Sequence, residues 1–191
     1  MNGYFSQAGA FLISVAFGFY ILLMMLRFLL QTVRADFYNP LSQFIVKLTS
    51  PVLRPVRRVI PGLGGIDVAA LLVLLALQII ELLLIGAMMG GSLHPAVLLV
   101  MAIGRLINMA LYIFIIAIII QAILSWVQPA TYNPMTAILY HLTEPVLRPI
   151  RSILPVFSGI DLSPLVAIIA LNLVLMAVPH LQTTLLRLFL G

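Results

Sequence analysis

The chain carries one segment twice. Residues 38–67 realign on residues 132–161 at a constant offset of 94, without a gap, and 15 of the 30 aligned positions are identical. The identities are not the apolar residues that any two greasy segments share. They are Tyr38-Asn39-Pro40 against Tyr132-Asn133-Pro134, Pro51-Val52-Leu53-Arg54-Pro55 against Pro145-Val146-Leu147-Arg148-Pro149, and Gly65-Ile66-Asp67 against Gly159-Ile160-Asp161. Turns and charges repeated at one spacing mark a duplicated structural unit. A chain built this way has to fold as two similar halves, taken as residues 1–94 and 95–191, and its function should be exercised by that unit used as a pair.

Where the halves reside follows from composition. The chain is 63% hydrophobic and 8% charged, against roughly 25% charged residues in a soluble domain. So few charges cannot build a water-facing surface, and the chain is read as an integral membrane protein. Four apolar runs, near 8–30, 68–89, 105–127 and 164–186, reach the roughly 20 residues that a bilayer crossing takes. No basic segment and small-residue cleavage site flank the first run, so it is read as a retained helix and not as a signal peptide.

The formal net charge of +5 does not point to nucleic acid, because the basic residues follow membrane topology. Arg34, Lys47, Arg54, Arg57 and Arg58 lie between spans 1 and 2, and Arg148 and Arg151 between spans 3 and 4. By the positive-inside rule both repeated units face the cytoplasm and both termini lie outside. Two spans per repeat make the repeats parallel, related by an axis along the membrane normal. The chain has no cysteine, which excludes disulfides, thiolate metal sites and covalent c-type haem attachment. No metal or other cofactor is expected.

Each unit has a legible internal plan. Asn39 and Asn133 suit helix caps, with Pro40 and Pro134 at the first helical position. The short helix that follows places Leu41, Phe44, Ile45 and Leu48 on one side, and Met135, Ile138, Leu139 and Leu142 in the second copy. A second short helix is expected from Pro51, and from Pro145. At 100° per residue, Val52, Leu53, Val56, Val59 and Ile60 face one way and Arg54, Arg57 and Arg58 the other. Such a pair of amphipathic helices belongs in the membrane interface, with arginines at phosphate level. Pro55 and Pro149 argue against perfect regularity. The unit closes on a turn that begins at Pro61, or Pro155. Gly65 and Gly159 permit a positive φ there, and Asp67 and Asp161 complement the N-terminal dipole of the next span.

The spans hold few polar groups. Ser6, Ala10, Ser14 and Gly18 form a ridge of small residues on span 1, and Gly86 and Gly90 recur near the outer end of span 2, so close helix approach or self-association is expected at both. Glu81 lies within span 2, and an ionisable group at that depth is a functional candidate. Arg105 and Asn108, at the start of span 3, are its expected partners. Gln78 and Asn172 correspond by the offset; they serve either interhelical hydrogen bonds or a polar lining between the repeats. Arg54, Arg57, Arg148 and Arg151 either pair with Asp67 and Asp161 or act separately, the arginines on lipid phosphate and the acids as caps. His94, His141 and His180 have no ligand-like spacing.

The string T-x-P-V-L-R-P-h-R-x-h-x-P followed by G-I-D, after an aromatic-Asn-Pro start and between two spans, resembles the YggT family of bacterial inner-membrane proteins. The likeness covers nearly the whole chain, in the two-copy arrangement of proteobacterial members. It implies a bacterial inner-membrane location and roles tied to osmotic or salt tolerance, to cell division and nucleoid distribution, or to haem-protein assembly. Ser152 in place of Arg58 and Ser158 in place of Gly64 imply a second copy that holds lipid less strongly. With five acidic residues and no catalytic constellation, the chain is read as non-enzymatic. The expected fold is all-α, with four transmembrane helices as two parallel two-helix repeats, each with a cytoplasmic pair of short amphipathic interfacial helices. The leading function is a scaffold or assembly factor that binds anionic lipid and a protein partner through Lys47, Arg54, Arg57, Arg58, Arg148 and Arg151, with a homo-oligomer also possible. The alternative is a channel or transport accessory with its site near Gln78, Glu81 and Asn172; a haem-handling role comes third.

Overall fold

In a computed structural model, which describes residues 2–35, 39–60, 62, 65–91, 94–127, 134–154 and 161–190, the described residues form six helices. They run in the order α1 (Asn2–Thr32), α2 (Pro40–Val59), α3 (Val68–Met88), α4 (Pro95–Val127), α5 (Pro134–Ile153) and α6 (Ser163–Leu190). α1, α3, α4 and α6 are long and apolar enough to cross a membrane. This is a multi-pass membrane protein. Pro61, Asn133, Pro155 and Gly159 lie outside the described residues.

Contacts recur at the spacing of 94. α1 packs on α3 as α4 packs on α6, and α2 lies against α1 and α3 as α5 lies against α4 and α6. Buried Ile118, Leu147 and Ala167 form one cluster. Their counterparts Met24, Leu53 and Val73 are all buried in the main core, which also takes in Ile21, Ala70, Leu74, Ile113 and Leu142. The main core sits at the end of the bundle where α2 and α5 lie.

The expected pair of short helices is a single helix in each half. α2 runs unbroken for 20 residues with Pro51 and Pro55 inside it, and α5 likewise with Pro145 and Pro149. A proline removes a backbone donor and crowds the preceding turn. Beside Pro51 two hydroxyls turn back onto the preceding turn: Thr49 Oγ1 donates to the Ile45 carbonyl at 2.6 Å and Ser50 Oγ to the Val46 carbonyl at 2.5 Å. Thr143 repeats this beside Pro145, donating to the Leu139 carbonyl at 2.8 Å. Thr49, Ser50 and Thr143 therefore lie inside continuous helices, their hydroxyls turned back onto the preceding turn.

α2 has three faces. Ser42, Ile45, Thr49 and Leu53 are buried. Phe44, Leu48, Val52 and Val59 form an exposed apolar stripe. Gln43, Lys47, Arg54 and Arg58 are exposed on the remaining arc. The start of α2 is as expected: the Asn39 side chain accepts from the Leu41 N–H at 3.0 Å, with Pro40 opening the helix. Gly65 has φ +86°.

The ends of the spans away from α2 and α5 differ from expectation. α4 starts at Pro95, well before the apolar run, so Arg105 lies inside the helix and not at its start. Its charge shortens the hydropathy signal but is met by Glu81 across the α3–α4 contact. Gly86 and Gly90 are a helix stop instead of a packing ridge: Gly90 has φ +72° and the Gly91 N–H donates to the Gly86 carbonyl at 2.9 Å. On the span 1 ridge Ala10 is buried, whereas a Cβ at Gly18 would meet open space. The tight approaches are Gly9 against Met88 and Gly104 against Gln182.

Candidate functional site

α2 is tied to both of its neighbours by polar groups. At its far end, Arg57 pairs with Asp67 and donates to Gln31 Oε1 of α1 at 2.7 Å. Asp67 also caps α3, its Oδ1 accepting from the Ala70 N–H at 3.2 Å. The second half repeats the tie: Arg151 Nε donates to Asp161 Oδ2 at 2.9 Å, and Asp161 Oδ1 accepts from the Ser163 N–H at 2.9 Å. Arginine and aspartate are thus joined in both copies, and the acids cap as well, so the reading of wholly separate roles falls for Arg57 and Arg151. Burial would raise the Asp161 carboxyl, but the hydrogen bonds from Ser163 and the Arg151 ion pair together hold it below the ordinary carboxylate range.

The middle of α2 is held by a residue that the repeat motif does not include. Arg27 of α1 is only 6% exposed. Its Nη1 donates to Thr49 Oγ1 at 2.7 Å, to Ser50 Oγ at 3.1 Å and to the Val46 carbonyl at 3.2 Å. All three acceptors are uncharged. A buried guanidinium served only by neutral oxygens leaves its charge uncompensated locally, which is costly unless an anion is near. The acid whose charge reaches it, Asp67, is paired with Arg57.

Arg27 lines a cavity of about 820 Å³ between α1 and α2. Gln31, Gln43, Lys47, Ser50, Arg54 and Arg57 also line it. Four of the lining residues are cationic and none is acidic. Among the described residues no acid pairs with Lys47, Arg54 or Arg58. The lining matches what a phosphate monoanion or diester needs: several donors and a net positive field in a recess partly shielded from water.

The second half lacks this charge. At the offset of 94, Arg27 becomes Gln121, Lys47 becomes His141 and Ser50 becomes Glu144. Thr143 Oγ1 hydrogen-bonds Gln121 Oε1, so the α4–α5 brace survives without a cation. Glu144 takes up Arg151 at 2.9 Å, and on α5 Arg148 has no ion pair among the described residues. Around the cavity the halves therefore differ at Gln121, His141 and Glu144; Gly64 and Ser158 lie outside the described residues. Arg27 escapes sequence reading because it lies upstream of the matched segment, inside an apolar run that one charge does not interrupt. Extending the offset upstream, where Arg27 meets Gln121, would have found it.

The intramembrane polar residues divide. Gln78 Nε2 donates to Glu81 Oε2 at 2.6 Å, and Arg105 Nη1 lies 3.5 Å from Glu81 Oε1. Gln78 and Glu81 are buried. Asn108 does not join them; its Oδ1 is buried without a hydrogen-bond partner. Asn172 is exposed and donates to the Ile168 carbonyl of its own helix at 2.8 Å. The expected interhelical use of Gln78 and Asn172 is not found, and Asn172 stands apart from the Glu81 network. His94 caps α4, its Nδ1 accepting from the Ala96 N–H at 3.3 Å. Among the described residues no three His, Asp or Glu side chains gather as metal ligands.

Comparison with known proteins identifies the kind of chain that carries this arrangement. A family model described as CCB3/YggT matches residues 6–88 and again residues 100–182, two stretches displaced by the same 94 residues. The uncharacterized protein PA0392 of Pseudomonas aeruginosa is 44% identical over 175 residues, covering 91% of this chain and 89% of its own length. The uncharacterized protein in the proC 3′ region of Vibrio alginolyticus is 46% identical over 166 residues, 85% of this chain and 89% of its own. The uncharacterized protein YggT of Escherichia coli is 38% identical over 175 residues, 91% of each chain. No solved structure matches.

Proposed function

This chain belongs to the CCB3/YggT family, and from that premise we propose that it is a non-enzymatic membrane scaffold that seats the phosphate of an anionic lipid headgroup in the α1–α2 cavity. Its halves act as parallel repeats. α2 and α5 lie in the cytoplasmic interface of the bacterial inner membrane, with both termini outside. The exposed stripe of Phe44, Leu48, Val52 and Val59 enters the acyl boundary while Lys47 and Arg54 stand at phosphate level. Each cation held at an anionic leaflet contributes about 1 kcal/mol. The platform so formed docks a protein partner. The observation that carries this reading is Arg27, a buried cation with neutral acceptors on the wall of a cavity with no acid in its lining.

Native mass spectrometry of the protein extracted in mild detergent tests it. Wild type should retain phosphatidylglycerol in preference to phosphatidylcholine. Arg27→Met and Arg54→Ala should lose that preference, while Arg148→Ala should keep it. Equal retention of both lipids, or an unaffected Arg27→Met, refutes lipid seating. Displacement by millimolar inorganic phosphate with no lipid preference would assign the cavity to a soluble anion.

A second reading, an accessory role in ion transport, draws on buried Gln78 and Glu81 and their link to the exposed Arg105, since an acid at such depth suits proton or cation passage. It requires water at the network. A cysteine at residue 78 or 81 that stays unreactive to a small aqueous thiol reagent would rule it out.

A further inference from the structure

Within the chain, α3 of the first half is covered on one side by α4 of the second. Leu82 packs with Leu98 and Ala102, flanked by Leu75, Ile79 and Met101. Gln78 is buried on the same helix. Each major contact within the first half has its counterpart 94 residues on, but the α3–α4 contact, which joins the two halves, does not. Its image would place α6 against α1, whereas α6 packs on α4 and α5.

The two surfaces that the image would join are present and uncovered. On α6, the counterparts of Leu75, Gln78, Ile79 and Leu82 are Ile169, Asn172, Leu173 and Met176, all exposed. On α1, the counterparts of Leu98, Arg105 and Leu106 are Tyr4, Phe11 and Leu12, again exposed. Only 11% of the apolar window of α6 is buried, against 39% for α3. Exposed apolar residues in a span are ordinary lipid contacts. Asn172 is not: it sits near the middle of α6, at the position equivalent to buried Gln78, with only a carbonyl of its own helix as partner. A polar side chain facing hydrocarbon gains from cover by another helix.

We propose that this face of α6 docks on the exposed face of α1 in a second copy of the chain, repeating between chains the α3–α4 contact made within one. The occupant is specified by the internal repeat: each surface is the image of one that already binds the image of the other. Joining α6 to α1 is head-to-tail, so it propagates until it closes, and closed rings are the usual outcome of such interfaces. The smallest is two chains, each giving α6 to the other's α1. This interface is independent of the phosphate cavity, which lies between α1 and α2 within one chain.

The absence of native cysteine allows a clean test. Ala8→Cys and Met176→Cys, the images of Ala102 and Leu82, are placed on separately tagged copies, co-expressed and treated in membranes with a short bis-thiol crosslinker. A crosslink between the two tags is expected, with at least a tenfold excess over the pair Ala8→Cys and Leu83→Cys, where Leu83 is exposed on α3. Native mass spectrometry of the wild type should show a closed oligomer. Met176→Cys crosslinking mainly to itself would mean an α6–α6 interface and overturn the head-to-tail arrangement. No crosslink above the control, with monomer mass alone, would mean that lipid covers both faces and would overturn the proposal altogether.

Discussion

Replacing Asp67 tests how the α2 unit is fastened to the bundle. Asp67 has a side chain only 4% exposed and does two things at once. One oxygen caps α3 through the Ala70 N–H, and the other pairs with Arg57. Loss of an N-cap acceptor costs about 0.5–2 kcal/mol. The ion pair adds about 0.2–1 kcal/mol, since Arg57 is one-third exposed and keeps its bond to Gln31. Asp67→Ala should therefore destabilise by about 1–3 kcal/mol. Asp67→Asn keeps a capping oxygen and loses the charge, so it should cost under about 1 kcal/mol. Asp161→Ala should cost nearer the cap alone, about 1 kcal/mol, because Arg151 keeps Glu144. Reversible unfolding in mixed micelles by SDS titration, followed by circular dichroism, gives the three values. An Asn variant as damaging as the Ala variant would show that charge and not capping fastens the unit. An Ala variant without cost would refute the fastening itself.

Gly104→Ala should cost under about 1 kcal/mol, because its Cβ would meet the amide end of Gln182, a flexible side chain that can swing aside; a larger cost, relieved by Gln182→Ala in a double-mutant cycle, would show that Gln182 is fixed against the Val100 carbonyl. Leu53→Ala, at a fully buried position, should cost about 2–5 kcal/mol, while Val59→Ala, at an 80% exposed one, should stay within about 0.5 kcal/mol in the same titration. The Asp161 carboxyl is depressed in the folded state below its ordinary value of 3.8, so its tie contributes stability that is complete above that pH and is lost as pH falls through the lower folded value. The stability gap between wild type and Asp161→Asn should therefore be constant from pH 7 to about pH 5 and close in stronger acid; a gap that widens on acidification would contradict the sign.

Local signals in the sequence transferred well to the structure. Asn39 and Pro40 start α2, Asp67 and Asp161 cap the helices that follow, and Gly65 takes the positive φ that its turn requires. Each of these depends on neighbours within a few residues, where composition and spacing carry the information. Two misreadings arose where a residue's meaning depends on a distant partner. Pro51 reads as a helix start until Thr49, Ser50 and Arg27 are seen bracing the turn around it. Arg105 is rightly paired with Glu81, but its charge hides the start of α4, which lies at Pro95.

The duplication at a spacing of 94 and the four apolar runs were determined by sequence alone, because hydrophobic length and repeated turn chemistry are properties of the linear chain. Tertiary structure decided which charges matter. It brought Arg27, from within an apolar run, against Lys47, Arg54 and Arg57 across one cavity, while Gln121 and Glu144 leave the matching place in the second half without that charge. It also left the α6 and α1 faces uncovered where their images in α3 and α4 meet. Both outcomes depend on distances between segments far apart in sequence, and electrostatic and packing energies are set by those distances.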